Sequence, residues 1–309
     1  MNEDAGLLHR LRRGLWNFRR ERPLLNGVWE TLRGRKFPIF LEFPIEPRPR
    51  YGHDGIPSHP RLRSLIERRE SVFREHLRGF LTLRDRVAAI PLSAPEGDTS
   101  APSWDNGSLP ALDALALYAF LTRLNPATYL EIGYGNSTRF ARRAIDDHGL
   151  RTEIVAIDPY TKDGCDALCD RIIHEPMENL GLETFMALQS GDVLFMDGSH
   201  WVFQNSDVVV FFLDVLPALP AGIWVHIHDI TLPNDYGPDF VDRYWSEQYI
   251  LAAYLLGGGT GVEIELANHY LWRDSELVSL LAPLREGTPL ENVPLVGSSF
   301  WLRTTGERV

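Results

Sequence analysis

A chain of 309 residues, 44% of them hydrophobic, is long enough to bury a full α/β core plus an extension. Its formal net charge of −11 disfavours general nucleic-acid binding, and no apolar run approaches the roughly 18 residues of a membrane span. The opening Met1 to Gly6 lacks the basic and apolar regions of a secretory signal, and the two cysteines, Cys165 and Cys169, fit neither a zinc spacing nor a disulfide framework, so a cytoplasmic protein is expected.

Charge is unevenly spread. Residues 1–90 hold 19 Lys and Arg against 11 Asp and Glu. Leu7, Leu8, Leu11, Leu15 and Phe18 fall at helical spacing among arginines, which predicts an amphipathic helix docked on the rest of the chain or on a second subunit of a homodimer, with a membrane-surface helix as the alternative. The Pro- and Arg-rich stretch 36–60 reads as an extended wrap. Helical periodicity returns over 61–87 through Leu62, Leu65, Ile66, Phe73, Leu77 and Phe80. A Pro/Gly/Ser-rich link follows at 91–107, and Pro110 opens a new helix. A helical N-terminal region is therefore expected over 1–107, and a second domain over 108–309.

The second part is organised around residues 128–137. An apolar run (Tyr129, Leu130, Ile132) leads into Gly133, Tyr134, Gly135, Asn136 and Ser137, and a helical pattern then begins. This is the strand, Gly-rich turn and helix N-terminus that cradle nucleotide-like ligands in open α/β sheets. A second strand, 152–157, ends in Asp158, where a carboxylate can hold ribose hydroxyls. Two features turn the reading away from a dinucleotide. Thr138 stands where the third glycine would be, and Glu131 would repel a pyrophosphate but welcome an α-ammonium group. A ligand with both a ribose and an α-ammonium group, such as S-adenosylmethionine (SAM), suits the turn better than NAD.

Further strands are expected at 171–174, 192–196, 222–227, 261–266 and 298–303, with helical patterns between the earlier ones. Right-handed crossovers then give a Rossmann-like, doubly wound, mainly parallel seven-stranded sheet. Polar residues accumulate after the fourth and fifth strands, in Asp197-Gly-Ser-His200 and His226-Ile-His-Asp229. Those ends face one crevice if the two strands are neighbours. Carboxylates and imidazoles meeting there could hold a divalent cation, and a histidine could remove a hydroxyl proton. His226, out of phase with its neighbour, is expected to be structural.

Jointly Glu131–Ser137, Ile157–Pro159, Asp192–His200 and His226–Asp229 resemble the ordered motifs of class I SAM-dependent methyltransferases. The Asp-Gly-Ser-His element resembles the bacterial branch with small-molecule and sugar O-methyltransferases, as do Asn205–Val208 and Trp245–Tyr249. The resemblance spans about residues 105–303. It implies that Glu131, Gly133, Tyr134, Gly135, Asn136 and Ser137 hold the methionine part of SAM, with Asp197 alongside, and that Asp158 holds the ribose. It implies that Asp197 and His200 are metal ligand and general base, with His228 and Asp229 completing a site for Mg2+ or another divalent cation. That branch carries two acidic residues where this chain has His228-Asp229, and a metal-free reaction with His200 as base stays open. Asp235 and Tyr236 would then meet a small-molecule or glycan acceptor. The rival readings are a SAM-binding scaffold without catalysis and an NAD-dependent oxidoreductase.

Overall fold

The computed structural model describes residues 31–33, 42–43, 45–162, 164–241 and 243–306. The amphipathic helix expected around Leu7–Phe18 and much of the expected wrap lie outside them. By packing, the chain divides at Pro47/Arg48, and everything below concerns the unit that begins at Arg48.

Seven strands form one sheet: β1 (Thr128–Ile132), β2 (Glu153–Ile157), β3 (Arg171–Ile173), β4 (Val193–Met196), β5 (Trp224–Ile227), β6 (Val262–Ala267) and β7 (Phe300–Thr304). Their spatial order is β3-β2-β1-β4-β5-β7-β6. Strands β1 to β5 pair in parallel, while β7 runs antiparallel between β5 and β6. The central strands read as unbroken apolar runs because helices cover both faces of a parallel sheet. The order reverses at β1, with β2 on one side and β4 on the other, so a crevice opens beyond their carboxyl ends.

The periodic run 61–87 forms three α-helices: α1 (Pro60–Glu67), α2 (Glu70–Phe80) and α3 (Arg84–Ala88). Helix α4 (Ala111–Leu124) starts after Pro110, ends at Asn125 in the left-handed conformation, and is buried on every side from Ala111 to Leu121. A helix so apolar all round must be enclosed. Helix α5 (Asn136–His148) is amphipathic and buries Phe140, Ala141, Ala144 and Ile145.

Helix α2 inserts Phe73, Leu77 and Phe80 into the same core as the sheet. The Phe80 ring meets Phe120 edge-on at 5.5 Å, and Phe120 leans on Trp301 at 4.5 Å. Burying each such side chain is worth about 2–3 kcal/mol. The link 91–107 is fastened too, with Trp104 donating its N–H to the Pro91 carbonyl and packing its ring on Phe140. The expected division near residue 108 therefore falls inside one compact unit. Helices α1 to α3 are too short and too one-sided to keep their apolar faces from water without the sheet. No helix among the described residues is long and apolar enough to cross a membrane.

Candidate active site

The turn after β1 is fixed by close backbone approach. Gly133 sits at φ 75°, and a Cβ there would lie 2.1 Å from the Asp197 carbonyl oxygen. Only glycine lets the end of β1 pass so close to the end of β4. The Asp197 N–H donates to the Ile132 carbonyl at 3.0 Å, locking the two ends together. Thr138, in the place of a third glycine, is the fastener of the turn. Its hydroxyl accepts from the Gly135 N–H at 2.9 Å and donates to Glu131 at 2.7 Å.

Glu131 does not face the crevice, which corrects the expectation that it meets a ligand's ammonium group. It is fully buried, and its carboxylate takes the hydroxyls of Ser137 (2.8 Å), Thr138 (2.7 Å) and Tyr129 (3.2 Å). Side chains alternate along a strand, and Glu131 falls on the face that the start of α5 covers. Burial raises its pKa to about 7 against the pull of those hydroxyls. The folded state thus keeps a proton that the unfolded chain loses near the ordinary carboxylate pKa. Stability should fall as pH rises through that window, by up to roughly 3 kcal/mol. Glu131→Gln should leave the melting temperature near wild type at pH 5 and raise it at pH 8. Melting curves that shift equally at both pH values would refute this.

Two cavities open at the carboxyl ends of the strands. The larger, about 530 Å³, is lined by Gly133, Asp158, Lys162, Met177, Asp197 and Phe203 among others. The smaller, about 170 Å³, is lined by Tyr134, Gly135, Asn136, Ser137, Asp197 and His228 among others. Asp197 and Lys162 belong to both. Asp158 ends β2 as expected, accepting the Tyr160 N–H at 2.9 Å and pairing with Lys162 at 2.8 Å. The Tyr134 hydroxyl donates to Asp166 at 2.5 Å, and the Asn136 amide donates to Ser108 at 2.6 Å and Asn106 at 3.0 Å. These ties bring both the 160–166 loop and the 106–108 link over the turn.

Beyond β4 and β5 the expected polar residues do converge. His200 and Asp229 both adopt left-handed backbone, at φ 66° and 54°, a conformation costing about 1–3 kcal/mol that clusters at functional sites. His200 Nε2 lies 3.5 Å from Asp197 and 3.8 Å from Asp229, and these three residues present ligand atoms within 4.8 Å of one another. His228 Nδ1 stands 3.4 Å from Asp197 and 3.6 Å from Asp229, and its Nε2 is 3.5 Å from Asp113. Both ring nitrogens of His228 are buried without a well-formed hydrogen bond. Burial disfavours a charged His228 ring, yet the surrounding carboxylates, Asp229 first, carry its pKa well above the ordinary imidazole value. His226 is fully buried, stacked on Trp301 at 4.0 Å and hydrogen-bonded to Ser299 at 2.5 Å.

Glu247, which no motif singled out as a site residue, also reaches the cluster. It opens α6 (Glu247–Leu256), is fully buried, and holds His200 Nδ1 at 2.5 Å. The N–H groups of Ser246 and Glu247 also donate to the His200 carbonyl, and the Trp245 ring packs on the imidazole at 4.0 Å. Burial works against charging His200, but the carboxylates of Glu247, Asp197 and Asp229 raise its pKa above the ordinary value. Burial in turn raises the Glu247 pKa to about 7, opposed by His200. The signal for Glu247 was its place in the Trp245–Tyr249 stretch. Nothing in the sequence shows the buried Asp113 of α4 behind His228.

Asp235, expected to meet an acceptor, uses one carboxylate oxygen, Oδ2, to hold backbone. Its carboxylate accepts the N–H groups of Arg50 (2.6 Å) and Tyr51 (3.0 Å). It therefore ties the 50–59 segment to the loop after β5. Tyr236 is buried, with its hydroxyl unpartnered and its ring against Trp245, Phe240 and Tyr249.

Residues 130–230 match the family model of a methyltransferase domain. Among solved structures, the chain is similar to the SAH-bound methyltransferase PaMTH1 of Podospora anserina, at 14% identity over 80% of this chain and 94% of that one, TM-score 0.38. It is also similar to MycE, a methyltransferase of the mycinamycin biosynthetic pathway in complex with Mg, SAH and mycinamycin VI, at 14% identity over 66% and 52%, TM-score 0.40. A third, described as cmcI-N160 SAH, shares 13% identity over 40% of this chain and 61% of its own, TM-score 0.29. The chain thus spans less than two thirds of two of these three. No curated protein matches it.

Proposed function

We propose that this chain is a SAM-dependent methyltransferase acting on a hydroxyl of a small-molecule or glycan acceptor, with His200 as general base. The observation that carries the reading is the His200 ring, pinned at Nδ1 by buried Glu247. Its Nε2 is turned toward Asp197, which lines both cavities. The methyltransferase-domain match over 130–230 supports the cofactor. SAM would supply a methyl group on a positively charged sulfur. Asp158 would take the ribose hydroxyls, and Tyr134, Asn136 and Ser137 would wall the methionine end. The glycines of the turn let backbone approach the cofactor. His200 Nε2 would accept the acceptor's hydroxyl proton as the oxygen takes the methyl group, and Glu247 would stabilise the resulting imidazolium.

The residues also fit a divalent cation. Asp197 and Asp229 offer oxygen donors, and His228 Nδ1 faces both. The orphaned ring nitrogens of His228 would be satisfied by a cation on one side and Asp113 on the other, the usual carboxylate support of a ligating imidazole. Such an ion would lower the pKa of the acceptor hydroxyl. Its binding would release the His228 proton and so weaken at acid pH. The 50–59 segment, fastened to the loop after β5, would border the acceptor.

Calorimetric titration with SAM, its product S-adenosylhomocysteine (SAH) and NAD tests the reading, repeated with EDTA and then with Mg2+ or Mn2+. Micromolar SAM and SAH binding without NAD heat is expected. Silence toward both would sink it, and turnover indifferent to EDTA and to Asp229→Asn would remove the cation. An unchanged rate in a His200 variant that still binds SAH would instead favour a scaffold.

A further inference from the structure

The loop after β2 places a lysine in the cavities that the proposed function assigns to the cofactor. Lys162 Nζ lies 2.8 Å from an Asp158 carboxylate oxygen and donates to the Tyr134 carbonyl at 2.6 Å. The same side chain lines both the larger and the smaller cavity. It therefore stands where a ligand spanning the two has to pass. Its two partners are the acceptors that such a ligand calls on: a carboxylate for a ribose diol, and a turn carbonyl for an α-ammonium group. The Lys162 backbone is anchored separately, with its N–H near the Tyr134 hydroxyl (2.9 Å) and Asp166 (3.0 Å). Only the side chain, 40% exposed, has to move.

We infer that the Lys162 ammonium is a resident stand-in for the cofactor's own polar groups, which the cofactor must displace from Asp158 and the Tyr134 carbonyl in order to bind. The inference rests on the SAM reading. Its consequence is that the measured affinity is the intrinsic affinity reduced by the fraction of molecules whose lysine is out of the way. A partly exposed pair of this kind is worth up to about 1 kcal/mol, which converts to about a fivefold change in Kd. Salt screens such a pair and so favours the displaced state.

Calorimetry with SAH on the full chain compares wild type, Lys162→Met and Lys162→Arg. SAH carries no sulfonium charge and its amino-acid end is a zwitterion, so removing a nearby cation relieves no net charge repulsion. Lys162→Met keeps the apolar stem and should bind SAH about fivefold more tightly at low salt, while Lys162→Arg keeps the charge and should stay near wild type. The gap should narrow as KCl is raised to about 0.5 M. Unchanged binding in Lys162→Met overturns the inference. Weaker binding also overturns it, and makes Lys162 a clamp on the bound cofactor's carboxylate. Absence of SAH heat in all three proteins removes the cofactor reading and this inference with it, whereas SAH binding with the wrong order removes the inference alone.

Discussion

Replacing His200 by alanine should lower kcat by about 10²- to 10⁴-fold while leaving SAH affinity within about twofold of wild type, the range expected when a positioned general base is lost. The ring does not line either cavity, so cofactor binding has little to lose. It does point Nε2 toward Asp197 and Asp229, while Glu247 engages the other nitrogen. Because His200 sits at φ 66°, His200→Asn is the better-folded companion: asparagine tolerates that conformation and cannot serve as the base. Both variants leave the buried Glu247 without its partner, so a lowered melting temperature is expected and SAH binding is the check that the site is folded. A variant that binds SAH and keeps more than about a tenth of the rate would assign deprotonation to another group.

Glu247→Gln separates orientation from charge. The amide can still engage Nδ1, but it no longer fixes which nitrogen carries the proton. A loss of roughly 10- to 100-fold is expected, with KM little changed. The carboxylate also contributes to raising the His200 pKa. The base works only when neutral, so the rate should rise with pH through a value above the ordinary imidazole pKa. Removing the Glu247 charge should move that acid limb to lower pH. A limb that stays put would mean that another group governs the profile.

The legible parts of the chain are those where one local pattern decides the structure. The runs ending at Ile132, Ile157, Met196 and Ile227 could be read as buried parallel strands, and the crevice at their ends followed from chain topology. The convergence of Asp197, His200, His228 and Asp229 was legible for the same reason. Residue roles failed where a side chain's direction or a distant partner decides them. Glu131 looks like a ligand for an ammonium group, yet the two-residue period of β1 turns it inward onto Ser137 and Thr138. Asp235 sits in an apt loop, but the backbone of Arg50 and Tyr51, 184 residues or more away in sequence, engages one of its carboxylate oxygens. Glu247 and Asp113 reach the site from helices whose placement no local pattern encodes. The one apolar stripe over 61–87 likewise hides the breaks that let α2 turn onto the sheet.

Gly133→Ala should damage both folding and cofactor binding. Two independent costs meet at this residue. At φ 75° an alanine is strained wherever it sits, by about 1–2 kcal/mol. The added Cβ would also fall 2.1 Å from the Asp197 carbonyl oxygen, a backbone atom that cannot rotate away. Relief requires β1 and β4 to part at their carboxyl ends, breaking the bond from the Asp197 N–H to the Ile132 carbonyl. The movement reaches function at once, because Asp197 borders both cavities and carries the carboxylate beside His200 and His228. A loss of about 2–4 kcal/mol in stability is expected from strain and clash together, with SAH affinity reduced at least about 100-fold in the fraction that stays folded. Thermal melting and SAH calorimetry below the lowered melting temperature read the two effects separately. Gly149→Ala is the control, since it shares the positive φ, at 58°, but a Cβ there meets nothing within 4 Å and the residue lines neither cavity. If Gly133→Ala bound SAH as well as Gly149→Ala does, the contact between the β1 turn and Asp197 would have no part in forming the cofactor site.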